Sequence, residues 1–212
     1  MRIAPISLLL LAACTQTPAP QASPSSSTSP SPSPSTPPLT IASASAAVLP
    51  DYLARMESLG EHYVRPAERA DYTKSPFEDV EVLRLYPRLP NKGALTGPAA
   101  ERLTIMTRKT VYAPNEEIRV LHVHEATQPG VSIFVMGPKA IYGEYVDGRL
   151  ASRATEAPLD AYDGVVLPSP NVDHNYDTSI HKLPAGKHIL QWKFKTLSGS
   201  YLESNVLTIE VR

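Results

Sequence analysis

His122 and His124 stand two residues apart in a segment, Ile118 to His124, that alternates between two kinds of side chain. On a strand that spacing puts both imidazoles on one face. With His174 or His181 they would complete a nitrogen-rich zinc site; on a solvated face or a sheet rim they are ordinary hydrogen-bonding groups. A second cluster lies between Asp160 and Asp177, where Asp160, Asp163, Asp173 and Asp177 sit among Gly164, Asn171 and Asn175. Oxygen ligands gathered on a loop suit calcium. The spacing fits no EF-hand, and Asx residues also cap their own turns. Tyr142 and Tyr145, beside Gly143, Glu144 and Asp147-Gly148, offer an amphipathic patch for a glycan or a protein. Hydrolytic signatures are missing from the sequence. Ser198-Gly199-Ser200 lacks the nucleophile-elbow frame, no His-Glu-x-x-His occurs, and no glycine-rich loop follows a strand to cradle phosphate. The sequence therefore assigns no catalytic residue and no cofactor. A non-enzyme is expected, with an envelope hydrolase or a metal-binding accessory, built on the Asp160–Asp177 loop or on His122 and His124, as the alternative.

The single cysteine carries a different chemistry. Arg2 is followed by an apolar run from Ile3 to Leu11 and then by Ala12, Ala13 and Cys14. A charged start, a short apolar middle and small residues before a cut describe a secretory signal peptide. The run is shorter than the roughly 20 residues that span a bilayer. Leu11-Ala12-Ala13-Cys14 resembles the lipobox of bacterial lipoproteins. The resemblance implies cleavage before Cys14, a diacylglycerol on its sulfur and a fatty acid such as palmitate on the new amino terminus. The mature chain then has no free thiol, which removes Cys–His catalysis and thiolate metal ligands. No aspartate follows Cys14, so the resemblance favours an outer over an inner membrane in a double-membraned cell.

Charge and composition narrow the partners. Lys and Arg number 20 against 21 Asp and Glu, a net charge of −1, and losing Arg2 with the leader makes the balance slightly more acidic. Without a basic stripe to neutralise phosphates, nucleic acid is not expected as a partner. Membrane contact falls to the lipid on Cys14; other partners would be an envelope protein or a glycan. Residues 15–40 hold eight prolines, eight serines and no charge. Such a tract has nothing to bury and few donors to pair, so it reads as a disordered spacer, reaching at most roughly 80 Å at about 3.1 Å per residue.

The elements that must position these groups begin near Pro50. Leu53, Met56 and Leu59 or Gly60 recur at helical spacing, with Asp51 as N-cap and Gly60 as terminator. Prolines at 66, 76, 87, 90 and 98 interrupt the next stretch, in which Val80 to Tyr86 alternates well enough for a strand. From Arg102 the pattern is β throughout. Strands are expected over 103–107 with a continuation at 110–112, then 118–124 with one largely buried face, 131–136, 141–146, 149–152, 178–183, 187–195 and 206–211. Asp147-Gly148 and Pro184-Ala185-Gly186 supply turns.

Tyr112-x-Pro114-Asn115-Glu116-x-Ile118-x-Val120 resembles the strand-turn-strand opening of bacterial immunoglobulin-like and fibronectin-III-like domains. Leu183-Pro184-Ala185-Gly186-Lys187-His188 with Trp192, and Ser204 through Val211, are similar to their closing hairpin and last strand. The expected organisation is a signal peptide over 1–13, a lipidated cysteine and linker over 14–40, a helix plus irregular extension over 41–100, and a mainly β, immunoglobulin-like antiparallel sandwich over 101–212. The expected role is binding or scaffolding in the cell envelope, and the fold alone implies no reaction.

Overall fold

Alternating apolar positions close into two stacked sheets, and a helical segment lies over one of them. The computed structural model describes residues 48–64, 73–135, 141–153, 165–174, 178–196 and 199–212. In chain order the elements are helix α1 (Asp51–Glu57), the short strands β1 (Tyr63–Val64) and β2 (Thr73–Lys74), helix α2 (Phe77–Arg84), a 3-10 turn (Tyr86–Arg88), then β3 (Glu101–Met106), β4 (Val111–Tyr112), β5 (Ile118–Ala126), β6 (Ser132–Val135), β7 (Ile141–Val146), β8 (Arg149–Arg153), β9 (Val165–Pro168), β10 (Asn171–His174), β11 (Ser179–His181), β12 (Gly186–Lys195), β13 (Tyr201–Glu203) and β14 (Leu207–Val211). None of the helices among the described residues is long and apolar enough to cross a membrane.

The first sheet is organised around β5, with β3 on one side and β10 and β11 sharing the other. The second runs β4-β14-β12-β7-β8, and β13 shares one side of β12 with β14. The two sheets bury Leu103, Ile105, Ile118, Val120, Leu190, Trp192, Phe194, Leu202 and Ile209 between them. The strands pair antiparallel except at one place: β4 runs parallel to β14, Tyr112 opposite Val211. The segment read as a continuation of β3 has thus crossed to the other sheet. The β6–β9 and β1–β2 ribbons are hydrogen-bonded into neither sheet.

The sharpest difference from expectation is β5, which is buried on both faces and not one. Ile118 and Val120 enter the inter-sheet core, whereas Leu121 and Val123 pack with Leu53 and Met56 of α1, Val82 and Leu83 of α2, Tyr86, Met106 and Val172. The segment read as a strand over 80–86 is α2 and the turn after it. Its alternation was misleading because a two-residue period over seven positions also samples a helix face, and Val80, Val82 and Leu83 are all buried here. Asp51 is the first residue inside α1 and makes no side-chain cap; Pro50 holds the cap position, and the helix stops at Glu57, before Gly60. The Asp147-Gly148 turn forms as its residues suggest, with φ of 52° and 75° at the two positions.

A side-chain clip joins the sheets. Asn205, between β13 and β14, accepts the Ile105 N–H at 2.8 Å and donates to the Ile105 carbonyl at 3.0 Å. It occupies the ladder position of a missing neighbour strand for β3. Asn205→Ala strips both backbone groups of this fully buried residue of their protein partners. The expected loss is about 2 kcal/mol, read as a lower urea midpoint.

Candidate functional site

Charged groups have been carried into both cores, and Glu125, Glu144 and Asp79 are each answered by donors from other elements. Glu125, near the end of β5, is fully buried. Tyr52 of α1 donates to its Oε1 at 3.0 Å, Arg102 of β3 donates to its Oε2 from Nε and Nη2, both at 2.6 Å, and Tyr86 donates to the same oxygen through a very short bond. Lys92 lies 4.3 Å from the centre of the Tyr86 ring and donates to the Pro87 carbonyl at 3.0 Å. Burial pushes the Glu125 carboxyl up, but hydrogen bonds from Arg102 and Tyr86 and the Arg102 charge outweigh it and hold the group below its ordinary value. The same burial, with the Glu125 charge beside it, lifts the Tyr52 hydroxyl to about 12 and moves that of Tyr86 well above its usual range.

Glu144 of β7 faces the first sheet and is 1% exposed. Its Oε1 accepts Ser179 Oγ at 2.5 Å and His181 Nε2 at 2.6 Å, both from β11, and Trp192 Nε1 at 2.8 Å from β12. Burial raises this carboxyl too, and the bonds from His181 and Ser179 bring it below the ordinary value. Because Ser179 and His181 both point at the carboxylate, the hydroxyl donates to Glu144 and the imidazole is not placed as its base. Two further carboxylates are buried and paired. Glu101 Oε1 lies 3.2 Å from His124 Nε2, and Asp79 of α2 takes Arg119 Nε at 3.1 Å and Nη2 at 2.7 Å.

The residues singled out from the sequence are dispersed through this frame. His122 and His124 do share a face, as their spacing requires, but that face is buried. His122 meets the Trp192 ring edge-on at 4.4 Å, and His124 meets Phe194 at 5.3 Å. His181 is on Glu144, while His174 lies 5.0 Å from His62, ring centre to ring centre. Among the described residues no group of three or more His, Cys, Asp or Glu is arranged to hold a metal ion. Asp173 is fully buried in β10, opposite His124 in register. The stretch read as one long loop therefore contains two strands, β9 and β10, because Val165-Val166-Leu167 and Val172 carry enough apolar surface to pair. Asp160, Asp163 and Asp177 lie outside the described residues, as does Cys14.

Tyr142 stands opposite Phe194 and Tyr145 opposite Gln191. A separation of three on a strand places the two positions on opposite faces. Tyr145 is half-buried, with Lys193 Nζ 5.3 Å from its ring centre. The reading of the sequence passed over Glu125, Glu144, Arg102 and Tyr86. The available signal was a carboxylate at the end of an otherwise apolar strand (Val123-His124-Glu125-Ala126) and another flanked by Gly143 and Tyr145. A buried ionised group demands partners, although the sequence does not say which.

No protein-family model matches the chain, and no curated protein matches it in sequence. Among solved structures it is similar to the CARDB domain of a Pyrococcus furiosus protein in complex with di-metal ions, at 10% identity over 53% of this chain and 87% of that one, with a TM-score of 0.32. A solution structure of the same domain covers 52% of this chain and 93% of its own length at 11% identity, TM-score 0.32. The sporulation control protein Spo0M of Bacillus subtilis is similar at 13% identity over 53% of this chain and 49% of that chain, TM-score 0.28.

Proposed function

We propose that this chain is a lipid-anchored protein of the cell envelope, with an outer-membrane address, whose sandwich binds or scaffolds a partner without catalysing a reaction. The anchoring reading is supported by the leader ending in the chain's single cysteine and by the uncharged Pro/Ser tract after it. The observation that carries the non-catalytic reading is the use made of the buried carboxylates. Glu125, Glu144 and Asp79 are each bonded to donors from other elements, and Glu125 and Glu144 are held ionised. A general acid or base for neutral conditions needs the opposite tuning, toward neutrality of its own pKa with the operating pH. Here the charge joins strands and helices. A glycan or an envelope protein is the partner class proposed.

The test is labelling of living cells with radioactive palmitate, followed by membrane fractionation. The full-length protein is expected to take up label and sediment with outer membranes, and Cys14→Ala to lose both properties. A wild-type protein free of label, or a C14A protein that keeps it, would sink the anchoring reading.

A further inference from the structure

Asp147, at the tip of the β7–β8 hairpin, and Pro184, in the turn that enters β12, lie on either side of one imidazole. His188 Nδ1 is 2.8 Å from Asp147 Oδ2, and Nε2 is 2.8 Å from the Pro184 carbonyl oxygen. Both neighbours are acceptors only: a carbonyl has no proton, and an ionised carboxylate has none. A neutral imidazole owns a single N–H, so it would satisfy one oxygen and turn a lone pair toward the other. Only the imidazolium donates to both. The acceptors are fixed in place. Asp147 Oδ1 takes the Ile189 N–H at 2.8 Å, and the Asp147 N–H donates to the Ile189 carbonyl, also at 2.8 Å.

We propose that His188 is a doubly protonated latch that ties the hairpin tip to the turn entering β12, and that removal of one proton loosens the tip. Among the described residues, Asp147 is the charged group bonded to the ring. Across the sheet on β14 its neighbour is Ile209. Along its own strand Lys187 is paired in register with Glu210 on the other face, and on the hairpin Arg149 acts on Asp147. His188 is nearly buried at 8% exposure, whereas the Asp147 side chain is half-exposed. The Asp147 hydrogen bond, with help from the Pro184 carbonyl and against a small burial effect, holds the His188 pKa above the ordinary 6.5. Hydrogen bonds from His188 and from the Ile189 N–H hold the Asp147 carboxyl low. A pKa raised by folding adds stability that is complete below the unfolded value and vanishes as pH climbs through the folded one. The latch is therefore closed on the acid side and loosens on the alkaline side.

Two-bond proton–nitrogen NMR on protein labelled with 15N-histidine reads the proton count of the ring directly. Below the titration midpoint both His188 nitrogens are expected to show protonated shifts, and that midpoint is expected above 6.5. Asp147→Asn keeps an acceptor for the Ile189 N–H but removes the charge, and should move that midpoint down. The amides of Asp147 and Ile189 should exchange faster, relative to core control amides, once pH passes the wild-type midpoint; His188→Gln should abolish that step. A midpoint at or below 6.5 overturns the doubly protonated ring. Exchange that follows the controls through the midpoint overturns the loosening.

Discussion

Arg102→Met is expected to destabilise the protein by about 3–5 kcal/mol, the usual consequence of leaving one half of a buried ion pair uncompensated. Glu125 is wholly enclosed, and Arg102 alone among the described residues gives it a guanidinium, through Nε and Nη2 at 2.6 Å. The two tyrosine hydroxyls and the Lys92 charge that remain do not replace a cation bonded directly to the carboxylate. A double change, Arg102→Met with Glu125→Leu, should recover most of the loss, since well-packed apolar groups often equal a buried ion pair. Two urea series and the coupling between them decide the matter; equal loss in the single and double variants would mean that Arg102 matters for packing alone. The pH dependence has a definite sign. Folding depresses the Glu125 pKa below 4.5, so its contribution is present above that value and fades as pH falls through the folded value. In the Arg102→Met protein burial dominates, the carboxyl rises, and acid unfolding should begin at a higher pH.

Gly93→Ala should be nearly as damaging, about 2–3 kcal/mol, for a reason that involves no charge. A Cβ at position 93 would lie 1.9 Å from the Leu103 carbonyl oxygen and 3.0 Å from its carbon, both backbone atoms of β3. Neither can rotate away. The Gly93 N–H also donates to Thr104 Oγ1 at 3.1 Å, so the loop is held close to the strand it would have to leave. Gly60→Ala is the control, because nothing lies within 4 Å of a Cβ there, and that change should be neutral or mildly stabilising. Thermal midpoints of the two variants make the comparison; similar values would rule out the close-approach account.

What the sequence made legible was whatever short-range chemistry dictates. Asp147-Gly148 turns because both positions need positive φ, and 187–195 alternates because one side meets a core. His188, Leu190, Trp192 and Phe194 took that side, leaving Ile189 outside. What stayed hidden depends on contacts between distant segments. The outer face of β5 could not be assigned, since its cover lies some forty to seventy residues upstream. Val80 to Tyr86 fits two periods equally until that cover is known. The histidine pair invited a metal because spacing reports a shared face and not what lies opposite, which is Trp192 and Phe194. Glu125 and Glu144 were overlooked for the same reason: their donors come from α1, β3, β11 and β12.

Residues 49–64 and 73–89 behave toward the β5 sheet as a ligand that never diffuses away. Leu53, Met56, Leu83 and Tyr86 sit on Leu121, Val123 and Val172 much as a partner subunit would, and the chain itself holds their effective concentration in roughly the millimolar range. Release of this segment, by cleavage within residues 90–98 or by a variant that empties its seat, would turn an interior surface into a sticky exterior one. Oligomers and aggregates of the remaining sandwich are the expected products.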